Sequence, residues 1–412
     1  MKRMMTLVTV ALMLIAPVYA QKRMLIDEFA AKVQPLQEKA YNRGEGKNYT
    51  AQLEALQQLV DLFENTEVDA GTMIIPQAQL REQASLYYYD MACYNALLGK
   101  KKLAVQQLHR AVDGGWSNYG NLKYDMEQGD LVSVARNPEV LDLLERTRQT
   151  QPLVKLQNAG AYTHENGDTL PEFSYQSMDD PNLREVREYF KLDSVAGNGD
   201  EISKIKKLLT YCHDLIVHDG SNYAFAELDA IDLYHYHKVT GKGINCRQMA
   251  IVMMEMYLSM GFKARLVSCM PMDSNDYDSH VINTVWSETL HKWLWIDPSF
   301  NAWVMDENGN MLSIAEVRER LRNDQPLVLN EDANHNHENQ QTVDQYLKNY
   351  MAKNLYIITC PMKLMFNADS RYRQSGNPYM QLVPTGFEPY THPEYTTRDA
   401  DIFWAAPADV KH

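Results

Sequence analysis

Cys246, His280 and Asp297 follow one another in one stretch of the chain. A thiol, an imidazole and a carboxylate are the groups that nucleophilic acyl transfer requires. Cys246 stands where Gly243-Ile244-Asn245 gives way to a long apolar run ending at Gly261, which reads as a tight turn, a buried helix and a left-handed stop. A thiol at the first turn of a helix lies beside unpaired N–H groups and the positive end of the dipole, and both favour the thiolate. In such a site His280 takes the thiol proton and later delivers one to the leaving amine. Asp297 holds the imidazole in one tautomer, and the backbone N–H of Cys246 donates to the oxyanion. A cysteine alone at a helix start is more often a packing residue. The ordered company of His280 and Asp297 turns the reading towards catalysis.

Three elements must position these groups. Gln248, Glu255 and Ser259 fall on one narrow stripe of the Cys helix, and the rest of its surface is apolar, as in a helix enclosed by other layers. Residues 262–269 read as a strand, 278–286 as a second and 293–298 as a third, with a turn over 287–292. Antiparallel pairing of the last two sets His280 beside Asp297, with Cys246 facing the imidazole. Register is decisive here, because a slip of one residue reverses every side chain.

The motifs Gly-x-Asn-Cys at 243–246, Met-Gly-Phe-Lys-Ala-Arg at 260–265, Ser-His-Val at 279–281 and Trp-x-Asp-Pro at 295–298 resemble the transglutaminase-like (papain-like thiol) superfamily. All four occur in order, most densely over 200–300. The resemblance implies an α+β fold in which the Cys helix packs on an antiparallel sheet carrying His and Asp. It gives the nucleophile role to Cys246, the base role to His280 and the orienting role to Asp297. His218-Asp219-Gly220-Ser221-Asn222 and Met305-Asp306-Glu307-Asn308-Gly309-Asn310 resemble a branch found in secreted bacterial proteins. In related thiol folds a polar or aromatic side chain upstream of the Cys completes the oxyanion hole. Asn222 and His218 are the candidates here, since the usual Trp or Gln is absent.

Other side chains admit two readings each. Arg247 is either a binder of a substrate carboxylate or a plain surface charge, the latter favoured. Trp286, with Trp293, Trp295 and Trp303, either walls a cleft or fills the strand core. The acidic loop 273–278 either rims the site or is simply solvated. His235-x-His237, His335-x-His337 and the pair His213 and His218 invite a metal reading, yet no Cys or carboxylate at zinc spacing accompanies them. They read as loop histidines, and no metal or cofactor is expected.

Residues 1–20 carry Lys2 and Arg3, an apolar run over 7–16 and a small-residue site at Val18-Tyr19-Ala20, which together read as a secretory signal. The mature protein is expected in the periplasm or outside the cell, without a transmembrane segment. With 40 Lys and Arg against 54 Asp and Glu, the formal charge is −14, which argues against nucleic acid and anionic membranes as partners. At 45% hydrophobic residues the chain can fill a core.

Residues 21–150 read as an all-α domain. Leu53, Leu56, Leu59, Val60 and Phe63 have helical spacing, and Ala92, Ala104 and Ala111 sit as in a tetratricopeptide-like helix pair. An ordinary helical bundle is the alternative. Such a domain either binds a peptide or protein partner or serves as a packing module. Residues 151–199 read as linker and lead-in, with a strand near 172–176 and a helix opening at Asp180-Pro181. The catalytic core is expected over 200–325, including a helix over 201–217, an Asn308-Gly309 turn and a capping box at Ser313 and Glu316. A polar loop over 325–342 follows. An extension over 326–412, with strands at 355–359 and 379–383 and an aromatic tail at Phe403-Trp404, is expected to pack back on the sheet. Among the five cysteines, Cys269 and Cys360 form the one pair proposed for a disulfide.

These features point to an exported enzyme that hydrolyses a peptide, amide or glutamine carboxamide through a Cys246 thioester. Two alternatives stay open: a catalytically inactive fold used as a binding module, and a cross-linking transglutaminase.

Overall fold

The computed structural model describes residues 22–41, 48–164, 169–369 and 376–408, so the leader expected over 1–20 lies outside the described residues. Contacts divide the chain into two units, Met1–Thr150 and Gln151–His412.

In the first unit Tyr49–Asn65 is a helix that buries Ala55, Leu56, Leu59, Val60 and Phe63, the side chains whose spacing marked it. Helices Gln77–Leu97 and Lys101–Asp113 form a hairpin about Gly99, whose φ of 73° is left-handed. Ala92, Ala104 and Ala111 are all fully enclosed, which lets the two backbones approach closely. The unit is not purely helical. Lys22–Leu25 pairs in parallel with Thr66–Asp69, burying Met24 and Val68. The short alternation in Thr66-Glu67-Val68-Asp69 stops the preceding helix and exposes a strand edge, a signal masked by the strong helical periodicity around it.

The second unit is built round the helix Cys246–Ser259. Every residue from Gln248 to Ser259 is buried. Its polar stripe therefore meets protein rather than water. Gln248 accepts from the N–H of Ala224 at 2.9 Å and donates to its carbonyl at 3.0 Å. Glu255 accepts from the N–H groups of Ala230 and Asn367, each at 2.8 Å. Gly261, at φ 85°, ends the helix as its position demands.

A six-stranded sheet backs this helix. Its strands run in the order Tyr395–Thr397, Tyr379–Leu382, Ile357–Pro361, Ala264–Met270, His280–Ser287 and Lys292–Ile296. All neighbours are antiparallel except the first pair. Asn283 fastens the helix to the sheet, donating to the carbonyls of Ala250 at 2.9 Å and Arg265 at 3.2 Å. Half of the strands come from beyond residue 355. Residues 326–412 thus build the sheet rather than extend a finished core. Nor is 151–199 a linker only: Leu156, Phe173, Leu183 and Val186 enter the same core, and Asp180 caps the helix Pro181–Tyr189. Turn-forming residues between those apolar positions concealed the contribution.

Several local expectations appear as structure. Ser313 and Glu316 form a complete capping box on Ile314–Arg322. Gly309, at φ 84°, turns the chain so that Met305 bridges Met311, although Val304–Met305 pairs as a strand with Val328–Leu329. The C-terminal tail is held by Arg265, whose guanidinium lies 3.9 Å from the Phe173 ring centre and 4.1 Å from that of Trp293 while donating to the carbonyl of Phe403. No disulfide joins Cys269 to Cys360. Register sets Cys269 opposite Ile358 and Cys360 opposite Met380, and all five cysteines are free. Among the described residues no helix is long and apolar enough to cross a membrane.

Glu255 supplies a stability test. Glu255→Leu would leave two buried N–H groups without an acceptor, at about 1–3 kcal/mol each. Urea unfolding of this variant is expected to show a loss of about 3 kcal/mol with an unchanged m-value.

Candidate active site

Three backbone features bring Cys246 to its place. Ile244 bridges His218, donating to the carbonyl of Val217 at 3.0 Å and accepting from the N–H of Asp219 at 2.8 Å. A Cβ at residue 243 would stand 2.6 Å from the Val217 carbonyl oxygen, so this close approach admits only glycine. Asn245 then caps the helix, accepting from the N–H of Gln248 at 3.0 Å. Cys246 follows as the first helical residue, where N–H groups lack partners within the helix.

His280 opens its strand, and its Nε2 meets Asp297 Oδ2 at 2.7 Å. Both residues are sealed from solvent. Asp297 Oδ2 also accepts from the Tyr346 hydroxyl at 2.6 Å, and its Oδ1 from the N–H of Ser299 at 2.9 Å. Burial opposes the Asp297 charge, but the His280 cation and these donors outweigh it and hold the carboxyl below the usual range. Burial likewise opposes the imidazolium, but the Asp297 charge and hydrogen bond, then Cys246, raise the His280 pKa to about 10. For Cys246 burial again acts against the anion. The neighbouring His218 and His280, with the N–H of Val281, bring the thiol down to about 6, although among the described residues His218 Nε2 and His280 Nδ1 each stand outside hydrogen-bond reach of a partner. Both shifts run in the direction that favours a thiolate beside an imidazolium, backed by a buried carboxylate.

The remaining expected residues separate. His218 is near enough to the thiol to lower its pKa, and its Nδ1 lies 2.9 Å from Nε2 of His335. Asn222 does not serve the site: its amide donates to the carbonyl of Gly243 at 2.6 Å and to Tyr236 Oη at 3.1 Å, both nitrogen protons being spent on holding the turn. Arg247 is neither a surface charge nor open to a substrate carboxylate. It forms a two-pronged pair with Asp369 at 2.5 and 2.8 Å and donates to Ser268 and Tyr379, tying the Cys helix to the C-terminal strands. Trp286 lies six residues along the strand from His280, about 20 Å away at the usual rise. It packs edge-on against Trp293, with ring centres 5.5 Å apart. Trp293 and Trp295 are core residues. The acidic loop before His280 is tethered, with Lys353 bonded to Asp276 at 3.0 Å and to the carbonyl of Asp278.

Sequence reasoning missed Tyr346, Tyr350 and Phe300, and it read His335 only as a loop histidine. Phe300 and Tyr350 flank the His280 ring at 5.5 and 5.2 Å between centres. Tyr346, Leu347 and Tyr350 share a helical face within the π-helix Val343–Tyr350, and that spacing was the available signal. Among the metal candidates, His235 meets Tyr189 and His237 meets the Lys242 carbonyl, so the two do not converge. His213, Asp214 and His337 bring ligand atoms within 4.8 Å of one another. Both nitrogens of His213 are already engaged, with the Pro298 carbonyl at 2.9 Å and Asn334 Oδ1 at 3.1 Å, and His337 Nε2 lies 3.3 Å from Asp214 Oδ1.

The electrostatics give a pH test. Alkylation of Cys246 by iodoacetamide, followed by mass spectrometry, is expected to rise through about pH 6. Turnover should be bell-shaped and fall near pH 10, where His280 loses its proton. His280→Ala removes the cation that lowers the thiol pKa, so its alkylation midpoint should move to alkaline pH. Tyr346→Phe deletes one of the three donors to Asp297 and should lower kcat about tenfold, the effect of about 1.4 kcal/mol.

Comparison with known proteins agrees with this geometry. Residues 189–298 match the family described as the Transglutaminase-like superfamily. A solved protein from Cytophaga hutchinsonii, provisionally described as a cysteine protease, is similar at 12% identity over 38% of this chain, with a TM-score of 0.23. The match spans 51% of that protein, about half its length, and is too slight to carry an argument. No curated protein matches the chain. Residues 189–298 thus carry a transglutaminase-like domain, and Cys246, His280 and Asp297 all lie within it.

Proposed function

We propose that the chain is an exported thiol hydrolase that cleaves an amide, either a peptide bond or a glutamine carboxamide, through a thioester at Cys246. The observation that carries this reading is the solvent-sealed His280–Asp297 pair at 2.7 Å, in one unit with a thiol at the first turn of the buried helix Cys246–Ser259. The Cys246 sulfur attacks the carbonyl carbon, forming the C–S bond while the π pair moves onto oxygen. The N–H of Cys246 and the Nε2–H of His218 stabilise that oxygen. Nδ1–H of His280 protonates the leaving nitrogen, the C–N bond breaks and the amine departs. His280, now neutral, takes a proton from water, whose oxygen attacks the thioester. The acid leaves and the thiol is restored to its ionised form.

Asp297 stays ionised throughout and stabilises the imidazolium. Its deep burial is what makes one carboxylate effective, because charge interactions strengthen where water is excluded. Water is favoured as the acceptor, since the leader over 1–20 sends the chain to an extracytoplasmic setting rich in water and peptides.

The test is a panel of peptides and glutamine substrates, each with and without excess primary amine, read by mass spectrometry. Cleaved or deamidated product that persists in the presence of amine, and that disappears in Cys246→Ala, is the expected result. Predominant amine adducts would make the protein a cross-linking transferase. An inert wild type would leave the binding-module reading.

A further inference from the structure

His218 brings a second imidazole to Cys246, and the way it is held goes beyond what the thiol–imidazole–carboxylate triad requires. Its ring acts electrostatically on the Cys246 thiol, while its Nε2 is buried with no hydrogen-bond partner among the described residues. Its Nδ1 lies 2.9 Å from Nε2 of His335, with the two rings nearly perpendicular at 81°. The next residue grips the backbone of the same histidine. Asn336 Oδ1 accepts from the N–H of His218 at 2.9 Å, and Asn336 Nδ2 donates to its carbonyl at 2.9 Å. Ring and backbone of His218 are therefore both fixed by two consecutive residues of one hairpin.

That hairpin pays no attention to backbone comfort. Asn334–His335 pairs with Asn339–Gln340, and the turn between them holds Asn336 at φ 53° and His337 at φ 61°. Two successive left-handed residues without glycine are unusual, and such backbone persists only where the surroundings over-determine it. His213 supplies part of that support through Asn334 Oδ1, and Asn334 Oδ1 in turn accepts from the N–H of His337 at 2.6 Å. Phe300 braces the His335 ring, with centres 5.5 Å apart.

We propose that His335 is a positioning residue that fixes the tautomer of His218, so that an N–H rather than a lone pair faces the reacting sulfur. The proposal rests on the reading of Cys246 as the nucleophile. A lone pair on Nε2 would repel a thiolate, so Nε2 of His218 must carry the proton. In a neutral imidazole Nδ1 is then an acceptor and needs a donor. Nε2–H of His335 is that donor. Burial keeps the His335 pKa low and hence the ring neutral, which gives it one N–H to donate. The same Nε2–H of His218 is available when negative charge passes from sulfur to the carbonyl oxygen. This arrangement fills, with a pair of histidines, the role of an upstream oxyanion donor.

The thiol is faced by His218, His280 and the N–H of Val281, with Tyr350 and the Asp297 charge nearby, while Asp297 and Glu338 act on His335. The experiment compares wild type, His335→Phe and His335→Gln in the full chain. His335→Phe keeps the ring and loses the donor; the Gln amide nitrogen keeps a donor at similar reach. The first readout is the pH profile of iodoacetamide alkylation at Cys246. The second is the ¹⁵N spectrum of histidine-labelled protein, which reports which nitrogen of His218 is protonated. Wild type should show His218 protonated on Nε2. His335→Phe should raise the alkylation midpoint by about one pH unit and mix the His218 tautomers, and His335→Gln should restore both.

A folded His335→Phe variant with an unchanged midpoint would overturn the proposal. So would a His335→Gln variant as impaired as His335→Phe, which would mean packing alone. If His335→Phe does not fold, the wild-type spectrum still decides, because His218 protonated on Nδ1 contradicts the proposal outright. A wild-type thiol no more reactive than a free peptide thiol would instead remove the nucleophile reading on which the proposal stands.

Discussion

The buried pair of His280 and Asp297 is the constraint that the rest of the second unit serves. Two opposite charges without solvent exposure persist only if their remaining hydrogen-bonding capacity is filled. Asp297 accordingly takes one hydrogen bond from His280, one from Tyr346 and one from the backbone of Ser299. These donors come from three separate parts of the chain: a strand, a π-helix and the turn after Pro298. The Tyr346 hydroxyl is itself fixed by the indole of Trp295 at 3.1 Å. A carboxylate that needs so many partners dictates where distant segments must dock. In return it supplies an imidazolium that can stand beside a thiol and lower its pKa.

The same logic explains the polar residues inside an otherwise apolar helix. Gln248 and Glu255 lie where water cannot reach, and each satisfies backbone groups of loops that cross the helix. An apolar side chain at either place would pack, but the loop N–H groups would lose their acceptors. Asn283 does similar service between helix and sheet. Arg247, next to the nucleophile, anchors the helix start to Asp369 and Tyr379. The first turn that holds the thiol is thereby tied to strands more than a hundred residues away. Rigidity at that turn matters for chemistry, since a misplaced nucleophile forfeits much of the advantage of proximity.

Two imidazoles near the thiol have different neighbours. His280 meets the buried Asp297 carboxylate, whose charge raises its pKa to about 10. His218 meets a second histidine, His335, at 2.9 Å. The backbone cost of the hairpin at Asn336 and His337 is concentrated beside that contact.

The sequence by itself determined the local pieces and their chemistry. Gly243, Asn245, Cys246 and Gly261 define the ends of the nucleophile helix through short-range requirements: a close backbone approach, a cap, a first-turn position and a left-handed stop. Alternation in the strands around His280 and Asp297 set their register, and helical spacing marked Tyr49–Asn65. Tertiary structure decided everything that depends on side chains distant in the chain. Asn222 and Arg247 have types suited to binding substrate, and only their long-range partners reveal that their donors are spent. His335 and Tyr346 sit in or just after a polar, loop-like stretch, and nothing local marks them as neighbours of the site. The strands near 357–361 and 379–382 were legible in the sequence, but their place inside the central sheet was not, because strand pairing is a non-local choice while caps and turns are local ones.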